Sequence, residues 1–330
     1  MTKRLAAFIT PGRSLPQTLE RVRLAERLGY HDVYTTQIAA RDGLMTLAAY
    51  ACATERIRLG TGVLPAFPRH PVSLAIEAAT LDEISGGRLI LGIGTSHAIT
   101  MQNWYGFGFE KPLSQLKEYV SIVRSIITTG RVEHRGEFYT TNFGFMGYAA
   151  RADLPIYISG LSPNTLRFAG ASCDGVILWA CMPSYIRDVV TPTVRAAEKE
   201  AGRPEGSCDI VAAVPSALAT DVEVAHNAFR KEFFTYMTLP FYRKVIGGAG
   251  YTDDIGRFDA ALGKGDMDGA RAAISERMLE DFAGIGDEKA VRAKIAEYRD
   301  AGVTTPAVGS FAMPTEGGPG ADATLEAAAS

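Results

Sequence analysis

LGTGVLPAFPRHPVSLAIEAATLDEISGGRLILGIGTS, residues 59–96, decides the fold. An apolar, β-rich run at Ile57–Val63 leads into it, and a second follows at Leu89–Ile93. Between them, Val72–Ile84 carries its apolar residues at helical spacing. Strand, helix, strand in this order is the unit of a parallel sheet with helical crossovers.

The unit recurs in both directions. Further strands are predicted at Leu5–Thr10, Asp32–Thr36, Pro155–Ser159, Gly175–Trp179, Ile210–Ala219 and Thr305–Ser310. Helices are predicted at Leu15–Leu28, Leu113–Thr128, Thr165–Ala171, Ser184–Ala201, Val222–Thr238 and Ala290–Ala301. In the first of these, Leu15, Leu19, Val22 and Leu28 form an apolar stripe, and Gly29 ends it. About eight such repeats imply an α/β fold, a single (β/α)8 TIM barrel, rather than an open doubly wound sheet. The open sheet needs a glycine-rich dinucleotide fingerprint at its first turn, which here reads ThrProGlyArgSer; neither Gly60-Thr-Gly62 nor Gly92-Ile-Gly94 completes one.

Two intervals are long and predict insertions after strands 4 and 7. The first, Thr95 to Asp153, holds a helix and then RVEHRGEFYTT, whose Arg135-Gly136 reads as a hairpin turn. The second, Thr220 to Thr304, holds FYRKVIGGAGYTDDIGRFDAALGKGD, glycine-rich and without a clean period. In a β/α barrel the loops after strands line the catalytic face, so long ones there are candidate lids or substrate walls. The barrel is expected over residues 1–313, and the Gly/Ala-rich segment 314–330 as a flexible C-terminal tail.

Composition narrows the function. The chain has 330 residues, 47% hydrophobic and 22% charged, which excludes a disordered or collagen-like protein. Its 34 basic and 37 acidic residues give a net charge of −3, so no broad cationic surface is offered to nucleic acid. No apolar stretch approaches a membrane span, and the N-terminal apolar run is too short for a signal peptide. A cytoplasmic protein is expected. Cys52, Cys173, Cys181 and Cys208 lie far apart without a paired motif, which argues for buried reduced thiols and no metal.

Several stretches resemble the bacterial luciferase-like flavin-dependent monooxygenases, and within them the branch that uses the deazaflavin coenzyme F420. They are GTGV, PRHP, SGGRLILGIGTSH, KEYVSIVRSI (117–126), YISGLSPNTLRFAGASCDGVI (157–177) and the closing IGDEKAVRAKIAEYRDAGV. The likeness runs from residue 3 to about 310. It implies an oxidoreductase that transfers a hydride between F420 and a small organic substrate, in a homodimer. It also implies a non-prolyl cis peptide at Gly62-Val63, lying against the ring face, and a cofactor phosphate near Gly160, Leu161, Ser162 and Thr165. Ser162 and Pro163 independently fit the N-cap and first turn of a helix, a ready anion site. Thr10, Thr61, Gly94, Thr95, Ser96 and Trp179 complete the expected cofactor contacts.

One departure matters. Many relatives carry a histidine just after the second strand, whereas this chain reads Thr35-Thr36-Gln37-Ile38. Gln37 can hydrogen-bond but cannot shuttle a proton. His97 and Gln37 are therefore the candidate catalytic groups, with His70 read as a helix cap. Arg41, Asp42, Trp104 and Tyr105 are further lining candidates. The alternatives are an FMN-dependent monooxygenase using reduced flavin and O2, a non-catalytic flavin-binding barrel, and a serine hydrolase built on Gly94-Thr-Ser96-His-Ala98. For the last, His134 and His226 are poorly placed as partners.

Overall fold

The computed structural model describes residues 4–329. Its strands, in chain order, are β1 (Ala6–Phe8), β2 (Asp32–Thr35), β3 (Arg58–Thr61), β4 (Leu64–Pro65), β5 (Leu89–Gly94), β6 (Arg131–Arg135), β7 (Thr140–Gly144), β8 (Ile156–Ser159), β9 (Gly175–Leu178), β10 (Asp209–Leu218), β11 (Gly284–Gly286) and β12 (Thr305–Ser310). Hydrogen bonding orders the main sheet β11-β10-β12-β1-β2-β3-β5-β8-β9, and β10 also pairs with β9. With β4 and β11 as short additions, this is the closed parallel β/α barrel that the repeats predict.

The chain divides into two compact units. The first comprises Ile9–Ile177 with Thr193–Asp209. Its helices are α1 (Leu15–Arg27), α2 (Gly43–Ala53), α3 (Pro71–Ile84), α4 (Ala98–Tyr105), α5 (Pro112–Thr129) and α6 (Pro163–Ser172). Strand β5 is buried at all positions, as a parallel strand covered on both faces must be. Helix α5 turns Leu116, Tyr119, Val120, Val123, Ile126 and Ile127 inward at helical spacing. The antiparallel pair β6–β7 forms the hairpin expected around Arg135-Gly136. It is pinned by the Glu118 carboxylate, which accepts from the backbone N–H of Tyr139 at 2.7 Å and bonds His134 Nε2 at 2.9 Å.

The SGGR stretch has a structural basis. Gly86 and Gly87 both take positive φ, turning the chain from α3 into β5. Arg88 then donates to the carbonyls of Ala51, Thr54, Ile57 and Ser85, satisfying the open end of α2.

The second unit comprises Met1–Phe8, Leu178–Pro192 and Ile210–Ser330. It holds α7 (Pro183–Tyr185), a π-helical turn continuing into α8 (Thr191–Glu200), α9 (Val222–Thr238), α10 (Pro240–Ile246), α11 (Thr252–Leu262), α12 (Met267–Ala272), α13 (Glu276–Phe282), α14 (Glu288–Asp300) and α15 (Ala321–Ala329). Its core gathers Phe229, Phe233, Tyr251, Phe258, Met278 and Phe282, with the Phe233 and Phe282 rings 4.7 Å apart. Residues 239–265, which lack a clean period, are mostly helical. Tyr251 and Phe258, two turns apart, anchor them, while Gly250 at φ 94 breaks the helix and blurs its pattern.

Two expectations need correction. Segment 314–330 is not wholly a flexible tail, because α15 buries Leu325 and Ala327. Thr324 Oγ1 accepts from the Leu218 N–H at 3.0 Å, and Arg292 donates to the Ala327 carbonyl at 2.8 Å. Alanine is the best helix former, so the composition that reads as loose also folds readily against a neighbour. The thiols are not all buried either: Cys52 is exposed on α2, while Cys173, Cys181 and Cys208 are buried and free.

Candidate active site

Within the first unit, the segments leaving β2, β3, β5 and β8 lie side by side. Gly62 N–H donates to the Thr35 carbonyl at 2.7 Å, and Ala66 N–H to the Gly94 carbonyl at 2.9 Å. Leu64 and Pro65 of β4 pair with Ile93 and Gly94. The Gly62–Val63 peptide bond is cis.

Side chains pack closely over the glycines of this layer. A Cβ on Gly94 would sit 2.9 Å from Val63 Cγ2 and collide with the Ser159 hydroxyl. A Cβ on Gly160 would run into the Thr165 side chain. Ser96 holds a left-handed φ of 60°, uncommon outside glycine, where β5 gives way to α4. At the start of α6, Ser162 Oγ accepts from Thr165 N–H at 3.2 Å and lies 2.8 Å from Thr165 Oγ1, with Pro163 at the first turn.

Polar groups surround this floor. Gln37 Oε1 accepts from Gly43 N–H at 2.9 Å and from Arg69 Nη2 at 3.2 Å. Arg69 also pairs with Asp42 and, at 3.3 Å, with Glu77. Asp42 caps α2 through Met45 N–H, and Arg41 fastens the carbonyls of Gly12 and Arg13. His97 stands at the N-cap position of α4 without capping it through its side chain. Solvent reaches its ring, yet the surrounding protein desolvates it enough to lower the imidazole pKa from its usual 6.5.

The folded chain thus holds His97 neutral to lower pH than the unfolded chain does. Below pH 6.5 the unfolded state takes up the proton first, and this group's share of stability declines as pH falls through that window. A histidine NMR titration is expected to place His97 below 6.5. A midpoint at or above 6.5 contradicts this.

The structure brings Gln37, Gly62, Val63, Gly94, Thr95, Ser96, Gly160, Ser162 and Thr165 onto this one set of strand ends. It assigns Thr61 otherwise: its hydroxyl donates to the Gly92 carbonyl at 2.7 Å and accepts from Gly92 N–H at 2.8 Å, fully buried. It fastens β3 to β5. Leu161 is buried, and Thr10 is exposed after β1. Trp179 lies in the second unit, packed edge-on against Phe8 at 5.7 Å and tilted on Tyr236 at 6.1 Å. Trp104 is 54% exposed on α4, beside Tyr105. His70 caps α3 through Nδ1. His134 is engaged with Glu118, and His226 is buried on α9.

Sequence reasoning missed Ser159 and Arg69. Arg69 stands inside the PRHP stretch, but only folding shows that it faces Gln37.

A sequence profile of the luciferase-like monooxygenases matches residues 1–305. The chain belongs to the luciferase-like monooxygenase family. Among luciferase-like relatives, a putative coenzyme F420-dependent oxidoreductase of Mycobacterium tuberculosis is 30% identical over 320 residues, covering 89% of this chain and 90% of the relative. The 5,10-methylenetetrahydromethanopterin reductase of Archaeoglobus fulgidus is 30% identical, covering 88% of each. The solved coenzyme F420-dependent tetrahydromethanopterin reductase of Methanopyrus kandleri superposes with a TM-score of 0.86 at 27% identity, over 100% of this chain and 98% of that one. As a luciferase-like protein this chain is an enzyme, of oxidoreductase type. Among the described residues no helix is long and apolar enough to cross a membrane, and no cluster of acidic, histidine or cysteine side chains forms a metal site.

Proposed function

We propose that this enzyme binds coenzyme F420 over the ends of β3 and β5 and transfers a hydride between it and a small organic substrate. The observation that carries this reading is the close-packed strand end at Gly94, where the missing Cβ lets Val63 and the Ser159 hydroxyl form one floor. A planar ring would rest on the Val63 and Ser159 side chains that cover this glycine. Hydroxyl and amide donors surround the floor, and Arg69 holds the Asp42 and Glu77 carboxylates in ion pairs. The donor set fits the group. The relatives named for F420 support the same choice.

When bound, the deazaflavin supplies the hydride chemistry at ring carbon five, and the protein's part is to bind, orient and exclude water. Gly62 and the Val63 and Ser159 side chains over Gly94 would face the ring, and Ser96 and Thr95 would offer hydroxyls to its polar edge. Ser162 and the first turn of α6 receive an anionic tail. His97, neutral at pH 7, takes or returns a proton at an imidazole nitrogen.

Two further expectations join this reading. A homodimer is supported by exposed apolar side chains in the first unit, among them Met45 at 73% and Ile84 at 52%. A cytoplasmic location is supported by the three buried free thiols. The second reading, an FMN-dependent monooxygenase, is favoured by the likeness to the Streptomyces bottropensis monooxygenase RslO1, with a TM-score of 0.69 and 25% identity.

An anaerobic assay separates the two. Reduced F420 offered with a methylene-tetrahydropterin, a ketone or an activated alkene is expected to be oxidised in step with substrate reduction. Substrate-dependent oxygen uptake with reduced FMN, and no turnover with F420, overturns the cofactor assignment.

A further inference from the structure

We infer that Arg69 is a positioning residue that locks the Gln37 carboxamide with its oxygen inward, so that Gln37 presents only N–H donors to the bound ring. This rests on the cofactor reading above.

Gln37 Oε1 meets two groups, Gly43 N–H at 2.9 Å and Arg69 Nη2 at 3.2 Å. Both are obligate donors, since neither a backbone N–H nor a guanidinium nitrogen can accept. Flipping the amide would set its NH2 against both and lose two hydrogen bonds. The orientation therefore follows from the neighbours' chemistry, which is what normally decides between amide oxygen and nitrogen.

The neighbours are themselves fixed. Arg69 is held by Asp42 and by Glu77, and Asp42 is held in turn by its cap to Met45 N–H at 2.9 Å. Gly43 can come this close only because it lacks a Cβ, which would sit 2.6 Å from Leu64 Cδ2 and 3.5 Å from Gln37 Cβ.

The other half of the amide, Nε2, meets no protein acceptor among the described residues, and the side chain is only half-buried. Its two hydrogens remain for a ligand. Gln37 N–H reaches toward the Val63 carbonyl at 3.4 Å, so the side chain stands level with the residues on which the ring rests. The ligand group selected is an acceptor, a carbonyl oxygen or lone-pair ring nitrogen of the cofactor. A protonated ring edge is rejected.

Fluorescence titration with oxidised F420, from pH 5 to 9, tests this on wild type, Q37E, Q37M and R69M, with thermal melts to confirm folding. Glutamate keeps the shape but is acceptor-only when ionised and regains a donor when protonated. With Arg69, Asp42 and Glu77 as the charges around it, Q37E is expected to bind about tenfold more weakly at pH 8, a deficit that shrinks toward pH 5. Q37M is expected to lose affinity equally at every pH. R69M is expected to bind several-fold more weakly and to shift the bound ring's absorbance, with partial rescue by R69K. Wild-type binding with the Gln37 and Arg69 variants unchanged, or a Q37E deficit that is flat with pH, overturns the positioning role alone. Failure of wild type to bind F420 overturns the cofactor reading and the positioning role with it.

Discussion

Replacing Arg58 by methionine is expected to destabilise the protein by about 3–5 kcal/mol, the largest stability effect of any single exchange considered. Arg58 at the start of β3 grips Asp32 of β2 with two bonds, at 2.6 and 3.0 Å. The Asp32 side chain is 1% exposed. Burial alone would lower the guanidinium pKa, but the Asp32 charge and hydrogen bond outweigh it and the net shift is upward. Tyr157 lies in the same polar cluster, its hydroxyl bonded to Asp209 at 2.5 Å. Removing Arg58 takes a two-bond ionic contact from a buried carboxylate, which costs more than the pair itself contributes. The double variant D32L/R58M is therefore expected to recover part of the loss. Thermal and urea melts measure both; a single variant within about 1 kcal/mol of wild type contradicts the account.

Gly94→Val is expected to abolish F420 binding, with affinity down by a hundredfold or more, while the chain still folds. The atoms a side chain would meet there, Val63 Cγ2 and Ser159 Oγ, both belong to side chains that can turn aside. Turned aside, they would be pushed into the space the ring needs. Gly92, two residues earlier, is the control: its Cβ would strike the Thr61 carbonyl, which is main chain inside β3. Gly92→Ala is accordingly expected to lower stability, by about 1–3 kcal/mol or more, before any effect on binding. Equal loss of stability in both variants, or full cofactor affinity in Gly94→Val, contradicts this assignment.

The fold was legible because it is written in short-range periods. The run at 59–96 alternates between strand and helix spacing cleanly, and β3, α3 and β5 fall within a few residues of their expected bounds. The helices at 240–262 were not legible, since Gly247, Gly248 and Gly250 interrupt a pattern that is completed by Phe258 packing on Phe234 at 5.0 Å. Helix α15 was hidden for a different reason. Its alanines carry little signal alone, and the Leu218 N–H that it satisfies is 106 residues away.

At the candidate site, sequence spacing and the family resemblance located the strand-end residues but not their division of labour. Thr61 looks like a ligand residue in one dimension and proves to be a fastener of Gly92. Arg69 looks like part of a helix-start motif, and its contact with Gln37, 32 positions distant, exists only in three dimensions. Gly94 is the exception, because a glycine closing an otherwise apolar strand already marks a place where something must come near the chain.

Equilibrium titration of the purified wild-type protein with oxidised coenzyme F420, set beside FMN, bears most directly on the whole account. Saturable one-to-one binding of the deazaflavin at micromolar concentration or below, tighter than FMN, is the predicted result. Binding of neither compound, or of FMN alone, would contradict it.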